Sequence, residues 1–464
     1  MDWDDFAEAG ADAAKWAAAY HAGLRERPVR AQVRPGEVLG QLPAAPPDAA
    51  EPLDAILADF EKIIVPGMTH WQHPRFFAYF PANAAPVSVL AEYYVSAMAA
   101  QCMLWQTSPA ATELETRVVD WMRQAVGLPE GVAGCIQDSA SSATLCAVLT
   151  MRERALGWTG NAKGLSVQAA PRIYASNEVH TSIDRAIWVA GIGGANLVRI
   201  PVSGPTRGMD AGALRAAIAR DRARGHLPAG IIASVGATSV GASDDLRAVL
   251  TVARDEGLYS HVDAAWAGAA MICPEFRADY WDGVDLADSV VLNPHKWLGA
   301  QFDCTTQFLA HPEDHVRTLA IRPDYLKTAG AEGITDYSEW SVPLGRRFRA
   351  LKLWFLIRAH GLDGLRQIVR NHVDWAGRLA ERLREVPQLE IVTEPVLSLF
   401  SFRLASGDKE TEALLHKINN DGRIYLTQTK VDGAFAIRFQ AGAFTMTEAD
   451  ADTAFEVISE LAMG

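Results

Sequence analysis

Several short segments carry residue types that could do chemistry together. Lys296 lies in NPHKWLGAQFDC (Asn293–Cys304), after an apolar run and beside Trp297. A surface lysine is the ordinary reading. An amine held among apolar neighbours, however, has its ammonium form disfavoured and can attack an aldehyde carbon. Asp263 closes another apolar run in HVDAAWAG. It is either a turn residue or the acid that keeps a pyridine nitrogen protonated, so that a ring can accept electron density. The small Ala264 and Ala265 behind it leave room for a flat ring. In CIQDSASSATLCA (Cys135–Ala147), Ser139, Ala140 and Ser141 stand where a helix begins. That is a common N-cap, or a cradle in which backbone amides meet a phosphate. His180, in YASNEVHTSIDRA, is a structural histidine or an imidazole that stacks on a ring. Thr238, in SVGATSVG, is placed to hydrogen-bond within the same site.

Singly these signals are weak. Together a phosphate cradle, a stacking histidine, a threonine, an acid and a shielded lysine, in that order, describe a site for pyridoxal 5′-phosphate (PLP). No GxxxxGK[ST] loop occurs, and HVD has no second close His/Cys/carboxylate cluster to make a metal site.

The elements that must position these residues can be read around them. RIYAS (172–176), NLVRIPV, GIIASVG (230–236), YSHVDAAW (259–266) and DSVVLNPH (288–295) are short apolar runs, and helical stretches separate them. Such alternation predicts an α/β fold with a mainly parallel sheet covered by helices, and each motif falls at a strand's carboxyl end. Residues 1–84 read as helices joined by a proline-rich arm that has no core of its own. Residues 85–360 read as the large domain. Residues 361–464 read as a small α+β domain, with a hairpin turned at Asp432-Gly433 and a final helix capped by Thr445 and Glu448.

Composition sets the outer bounds. The 464 residues carry a formal charge of −13, which argues against a nucleic-acid partner. No apolar run is long enough for a membrane span. The five cysteines form neither a disulfide framework nor CxxC pairs, and the acidic start does not resemble a signal peptide. The expectation is a cytoplasmic protein.

The sequence resembles the PLP-dependent group II decarboxylases, most nearly the aromatic L-amino acid decarboxylase family. The likeness runs through EKIIVPGMTHWQHPRFFAYFP (61–81), SPAATELE (108–115), IQDSASSATL, HVDAAWAG, NPHKW and ITDYSEWSVPLGRRFRALKLWF (334–355). It implies a large domain of the aspartate aminotransferase type with a seven-stranded sheet, a swapped N-terminal segment, and a homodimer whose active site lies at the subunit interface. It implies decarboxylation of an aromatic amino acid such as tryptophan, phenylalanine, tyrosine or a hydroxylated derivative. The alternatives are an aldehyde synthase and a non-catalytic protein on the same scaffold.

By the same resemblance Lys296 forms the Schiff base, Asp263 pairs with the pyridine nitrogen and His180 stacks on the ring. Ser139, Ala140, Ser141 and Asn293 hold the phosphate. Thr238 and Ala265 contact the cofactor, and His295 flanks the lysine. Trp71, Tyr79, Phe80, Met103 and Gly345 line the substrate pocket, with Trp105 as a further aromatic. A glycine at 345 accompanies indole substrates among plant relatives. Tyr337, in the lid-like segment 327–340, is read as the proton donor to Cα; relatives with phenylalanine there tend to be aldehyde synthases. Three departures stand out. Asp138 occupies a position that is commonly glycine and is expected to point away from the phosphate; Ala82 replaces a common threonine, and Met103 a common aromatic.

Overall fold

The computed structural model describes residues 1–166, 168–321 and 333–464. The chain divides into a central unit, Ala82–Asp374, and a composite unit made of Met1–Pro81 with Trp375–Gly464.

Among the described residues of the central unit, seven strands form one sheet. They are β1 (Ala133–Gln137), β2 (Pro171–Ser176), β3 (Leu197–Ile200), β4 (Leu227–Ser234), β5 (Tyr259–Asp263), β6 (Ser289–Leu292) and β7 (Thr305–Leu309), in the order β1-β7-β6-β5-β4-β2-β3. β3, β2, β4, β5 and β6 pair in parallel, and β7 runs antiparallel to both β6 and β1. β1 therefore points the same way as the parallel set. The apolar runs in β4, β5 and β6 are buried along their length because helices cover both faces. The helices Ala140–Ala155 and Thr181–Val189 lay Ala147, Val148, Met151, Ile183 and Ile187 against Ile173, Ala175 and Ile232 of the sheet.

β1 and β7 were not anticipated from the sequence. Thr305, Thr306 and Gln307 are fully buried, and hydropathy gives no strand signal for them.

In the composite unit the strands β8 (Leu389–Val396), β9 (Leu399–Leu404), β10 (Thr427–Val431) and β11 (Ala434–Gln440) form an antiparallel sheet in the order β8-β9-β11-β10. The expected hairpin joins β10 to β11. Asp432 and Gly433 have φ of 50° and 87°, as a two-residue turn with both centres left-handed requires. The N-terminal arm packs on this sheet. Val29 N–H donates to the Gly422 carbonyl, Phe77 N–H to the Tyr425 carbonyl, and Gln440 N–H to the Phe77 carbonyl (2.9, 3.0 and 3.1 Å).

The last helix, Glu448–Met463, is capped two residues later than expected, at Thr447. The Asp450 carboxylate takes both the Thr447 N–H (3.0 Å) and hydroxyl (2.8 Å), and it also pairs with Arg25 and Arg75 of the arm. The expected helix from residue 361 begins earlier, within Arg349–Arg384, and Gly361 interrupts it with φ 62° and ψ 168°. No described helix is long and apolar enough to cross a membrane.

Candidate active site

The segments that could do chemistry all emerge at the carboxyl ends of β1, β2, β4, β5 and β6, on one edge of the sheet. After β1, Ser139 turns extended (φ −149°, ψ 157°) and caps the helix Ala140–Ala155, its Oγ accepting the Ser142 N–H at 3.2 Å. The Ser139 carbonyl takes the Ala143 N–H. The first two amides, of Ala140 and Ser141, precede any intrahelical partner and sit at the positive end of the helix dipole. Asn293, after β6, accepts the Thr305 hydroxyl at 2.8 Å through Oδ1, which leaves Nδ2 as its donating end.

His180 follows β2 as the cap of Thr181–Val189. Its Nδ1 accepts the Ser182 N–H at 3.1 Å, so the neutral ring carries its proton on Nε2. Burial lowers the pKa of His180; Asp263 opposes that shift and Lys296 reinforces it. The three side chains thus share one electrostatic neighbourhood.

β5 ends on Asp263, which is buried and accepts the Ala265 N–H at 3.1 Å through Oδ1. Beyond β4, the turn bearing Thr238 is closed by Ala237 N–H to the Ala242 carbonyl and Gly241 N–H to the Ala237 carbonyl, each 2.8 Å. Gly236 makes this turn possible. Its φ is 73°, and a Cβ there would come within 2.5 Å of Ala267 Cβ.

Lys296 lies on the short turn Pro294–Trp297. Its carbonyl accepts Asn83 Nδ2 at 2.5 Å, and Asn83 N–H donates to the His295 carbonyl at 2.9 Å. Trp297 stacks on Trp266 (5.1 Å, 17°) and donates Nε1–H to His372 Nδ1 at 2.8 Å. The turn is therefore rigid on both sides. His295 is buried, and Cys304 N–H donates to its Nδ1 at 3.0 Å. Burial first, then the neighbouring Lys296, pushes its pKa down to about 4, so it is neutral near pH 7. Asn83 had no sequence signal: it is a short polar residue in the proline-bounded stretch PANAAP, which reads as a linker.

This donor set fits PLP. Amides at a helix start suit a phosphate, a buried carboxylate suits a pyridinium nitrogen, a flat imidazole suits a ring face, and a shielded amine suits an aldehyde.

Asp138 Oδ1 accepts the Ser139 hydroxyl at 3.1 Å, which sets its carboxylate beside the helix cap. A carboxylate there opposes a phosphate, so Asp138→Gly should tighten PLP binding to the apoprotein by roughly tenfold. Fluorescence titration with PLP measures this, and unchanged affinity would show that the carboxylate has no influence on the cradle.

Tyr337 is buried, its Oη 3.0 Å from Thr116 Oγ1 and the Arg346 guanidinium 5.2 Å from its ring centre. Burial, and then Glu115, pushes its phenol upward. A hydroxyl anchored in this way is a structural post, not a proton donor to a cavity. Residues 327–332 of the lid-like segment lie outside the described residues. Beside Tyr337, Arg346 forms a buried ion pair with Glu115, which also accepts Ile136 N–H at 2.8 Å; Arg346 reaches the Ile136 carbonyl at 2.9 Å.

Of the expected pocket wall, Trp71, Tyr79 and Phe80 belong to the composite unit. There Trp71 stacks on Phe76 (4.5 Å) and on Tyr79 (5.9 Å), and Arg438 covers the Phe80 ring. Met103, Trp105 and Gly345 belong to the central unit. The Met103 carbonyl accepts Ser338 N–H at 2.9 Å, and Trp105 N–H donates to Asp336 at 2.8 Å.

Residues 35–405 match the pyridoxal-dependent decarboxylase conserved domain. The chain is 39% identical to the aromatic-L-amino-acid decarboxylase of Mus musculus, over 100% of this chain and 98% of that one. It is 36% identical to the phenylacetaldehyde synthase of Arabidopsis thaliana, over 99% and 96%. Its fold is similar to the crystal structure of Catharanthus roseus tryptophan decarboxylase in complex with L-tryptophan, with TM-score 0.94, 34% identity, and 100% and 99% coverage.

Proposed function

The chain belongs to the pyridoxal-dependent decarboxylase family, and from that premise we propose that it converts an aromatic L-amino acid to the arylalkylamine and carbon dioxide. The observation that carries this reading is the convergence of His180, Asp263 and Lys296 in one field at the strand ends of the sheet whose β1 leads into the amides of Ala140 and Ser141.

Bound PLP supplies an electron sink for the bond that breaks at Cα. The protein's part is to hold and orient it. Ala140, Ser141 and Asn293 grip the phosphate. Asp263 holds a proton on the pyridine nitrogen, and Ala265 leaves space beside it. His180, locked by Ser182, offers a flat face, and Thr238 offers a hydroxyl from the turn after β4. Lys296 would hold the cofactor through its amine and, when free of it, would be placed to move a proton. His295, neutral and fixed by Cys304, adds no charge beside Lys296. Met103 and Gly345 are proposed to contact the substrate.

The working form is proposed to be a homodimer with sites at its interface. The helix Pro86–Met98 supports this, for it exposes Val89, Leu90, Tyr93, Tyr94 and Met98. A reducing compartment such as the cytoplasm is consistent with five cysteines that are all buried and free.

A second reading, aldehyde synthesis, is favoured by the likeness to phenylacetaldehyde synthase. Product analysis separates the two: amine equimolar with carbon dioxide supports decarboxylation, whereas aldehyde with ammonia and peroxide supports the synthase. Tyr337→Phe should leave the product unchanged and cost about 1 kcal/mol of stability through the lost Thr116 bond. The one other tyrosine between residues 321 and 340 is Tyr325, so Tyr325→Phe is the paired comparison. A switch to aldehyde in the Tyr337 variant alone would restore Tyr337 to the mechanism.

A further inference from the structure

Three of the segments at the strand ends meet on one pair of rings. Trp266 lies three residues after Asp263, and Trp297 follows Lys296 directly. The two indoles are buried, 1% and 0% exposed, and stack with centres 5.1 Å apart and planes 17° from parallel. The turn bearing Thr238 borders the same pair. A Cβ on Gly236 would lie 3.0 Å from Trp266 Cε3 and 3.1 Å from its Cζ3. The backbones of the other two segments are bonded as well, by Asn293 N–H to the Ala265 carbonyl at 2.9 Å. One polar contact fixes the pair from the side. His372, on the helix Arg349–Arg384, is 1% exposed, and its Nδ1 accepts the Trp297 Nε1–H at 2.8 Å. The imidazole lies 8° from the indole plane, so the bond runs along both rings and resists their tilting. Accepting at Nδ1 requires a neutral ring with its proton on Nε2. A core histidine on a helix ordinarily serves packing alone; this one grips the side chain next to Lys296.

We propose that His372 is a positioning residue for the reaction: by accepting the Trp297 N–H it holds the Trp266–Trp297 pair, and through that pair the spacing of Lys296 from Asp263 and Thr238. This rests on the decarboxylase reading and on the roles given there to those three residues. The amine that meets the PLP aldehyde and the carboxylate that meets its ring nitrogen stand on different loops. Their separation must therefore match the dimensions of the cofactor. A close-packed ring pair fixes that separation, because neither indole can turn without displacing its neighbours. Without the acceptor, the indole N–H is left buried and unpaired, and it regains a partner only by moving. Such a movement carries the adjoining Lys296 with it. A shift on the order of 1 Å at a reacting group costs up to roughly a hundredfold in rate.

The test uses two replacements in the PLP-loaded protein, with tryptophan, phenylalanine and tyrosine as substrates. His372→Phe keeps a flat ring in the buried site and removes the acceptor. His372→Asn returns an acceptor, its Oδ1, near the place of Nδ1. In folded His372→Phe, kcat should fall by roughly thirtyfold while KM changes by less than about twofold, since no substrate contact is altered. Borohydride should fix PLP on the Lys296 peptide more slowly by a similar factor, a readout that needs no turnover. His372→Asn should recover most of both. A role in folding alone would lower the melting temperature and leave kcat per bound PLP unmoved. Trp297→Phe removes the donor, so combining it with His372→Phe should give the same loss and not a multiplied one. This double variant strands no indole N–H, and it keeps the test valid if His372→Phe alone folds poorly. Undiminished kcat and fixation in folded His372→Phe or in the double variant overturn the assignment of His372. Equal losses in the phenylalanine and asparagine variants, or losses that multiply in the double variant, overturn it too. In each of these cases the decarboxylase reading stands. Absence of carbon dioxide release by the unaltered protein from all three substrates overturns that reading, while the borohydride comparison still judges His372.

Discussion

Replacement of Lys296 by alanine is expected to reduce amine formation by roughly three orders of magnitude or more, because the group that exchanges the cofactor with the substrate amine is gone. The effect should be confined to chemistry. The turn that carries Lys296 is held through backbone groups, by Asn83 at the Lys296 carbonyl and by Lys296 N–H on the Asn293 carbonyl at 3.0 Å. The stacked Trp266 and Trp297 beneath it are untouched. PLP should still bind through the cradle at Ser139–Ser141, but without a covalent link. Borohydride treatment followed by peptide mass analysis should find the cofactor fixed on the Lys296 peptide of the unaltered protein and on no peptide of the variant. Cofactor fixed on some other lysine, or an undiminished rate, would remove Lys296 from the reaction.

Arg346→Met should cause the largest loss of stability of any single change considered. The Arg346 and Glu115 side chains are 3% and 4% exposed, so truncating the arginine strands a carboxylate where water cannot reach it. Removing one partner of such a pair costs about 3–5 kcal/mol, while replacing both with apolar groups costs far less. The double variant Glu115→Leu/Arg346→Met should therefore recover much of what the single change loses. Denaturant titration, reading the first transition of this two-unit chain, measures both. Equal midpoints for the single variant and the unaltered protein would show that the pair adds nothing. The single change also removes two props of the Tyr337 turn, since Arg346 Nη1 donates to the Tyr337 carbonyl (3.3 Å) and to Ser341 Oγ (3.2 Å).

The parallel strands β2, β4, β5 and β6 were legible because burial on both faces demands continuous apolar runs. β1 and β7 were not, because they break that rule at low cost. Gln307 Nε2 donates to Ser289 Oγ, Gln137 Nε2 donates to Gln307 Oε1 (3.2 Å each), and Thr305 donates to Asn293. Polar groups paired in this way can be buried, and hydropathy is blind to them. Lys296, Asp263 and His180 were legible because the chemistry restricts which side chains can serve at a strand end. Tyr337 was misread because its role depends on Thr116 and Arg346, and neither partner is evident from the loop's own composition.

The interleaving of the two units has a consequence for synthesis on the ribosome. Residues 1–81 belong with residues 375–464, and the central unit lies between them. The arm leaves the ribosome before the segments that cover Val29, Phe76 and Phe77 exist, and roughly 340 residues must follow first. At ~5–20 residues per second that is a wait of roughly 17 to 70 s. The central unit is continuous in sequence and can close as it emerges. The arm, with apolar side chains uncovered throughout, is where nascent chains would first recruit a chaperone or adhere to one another.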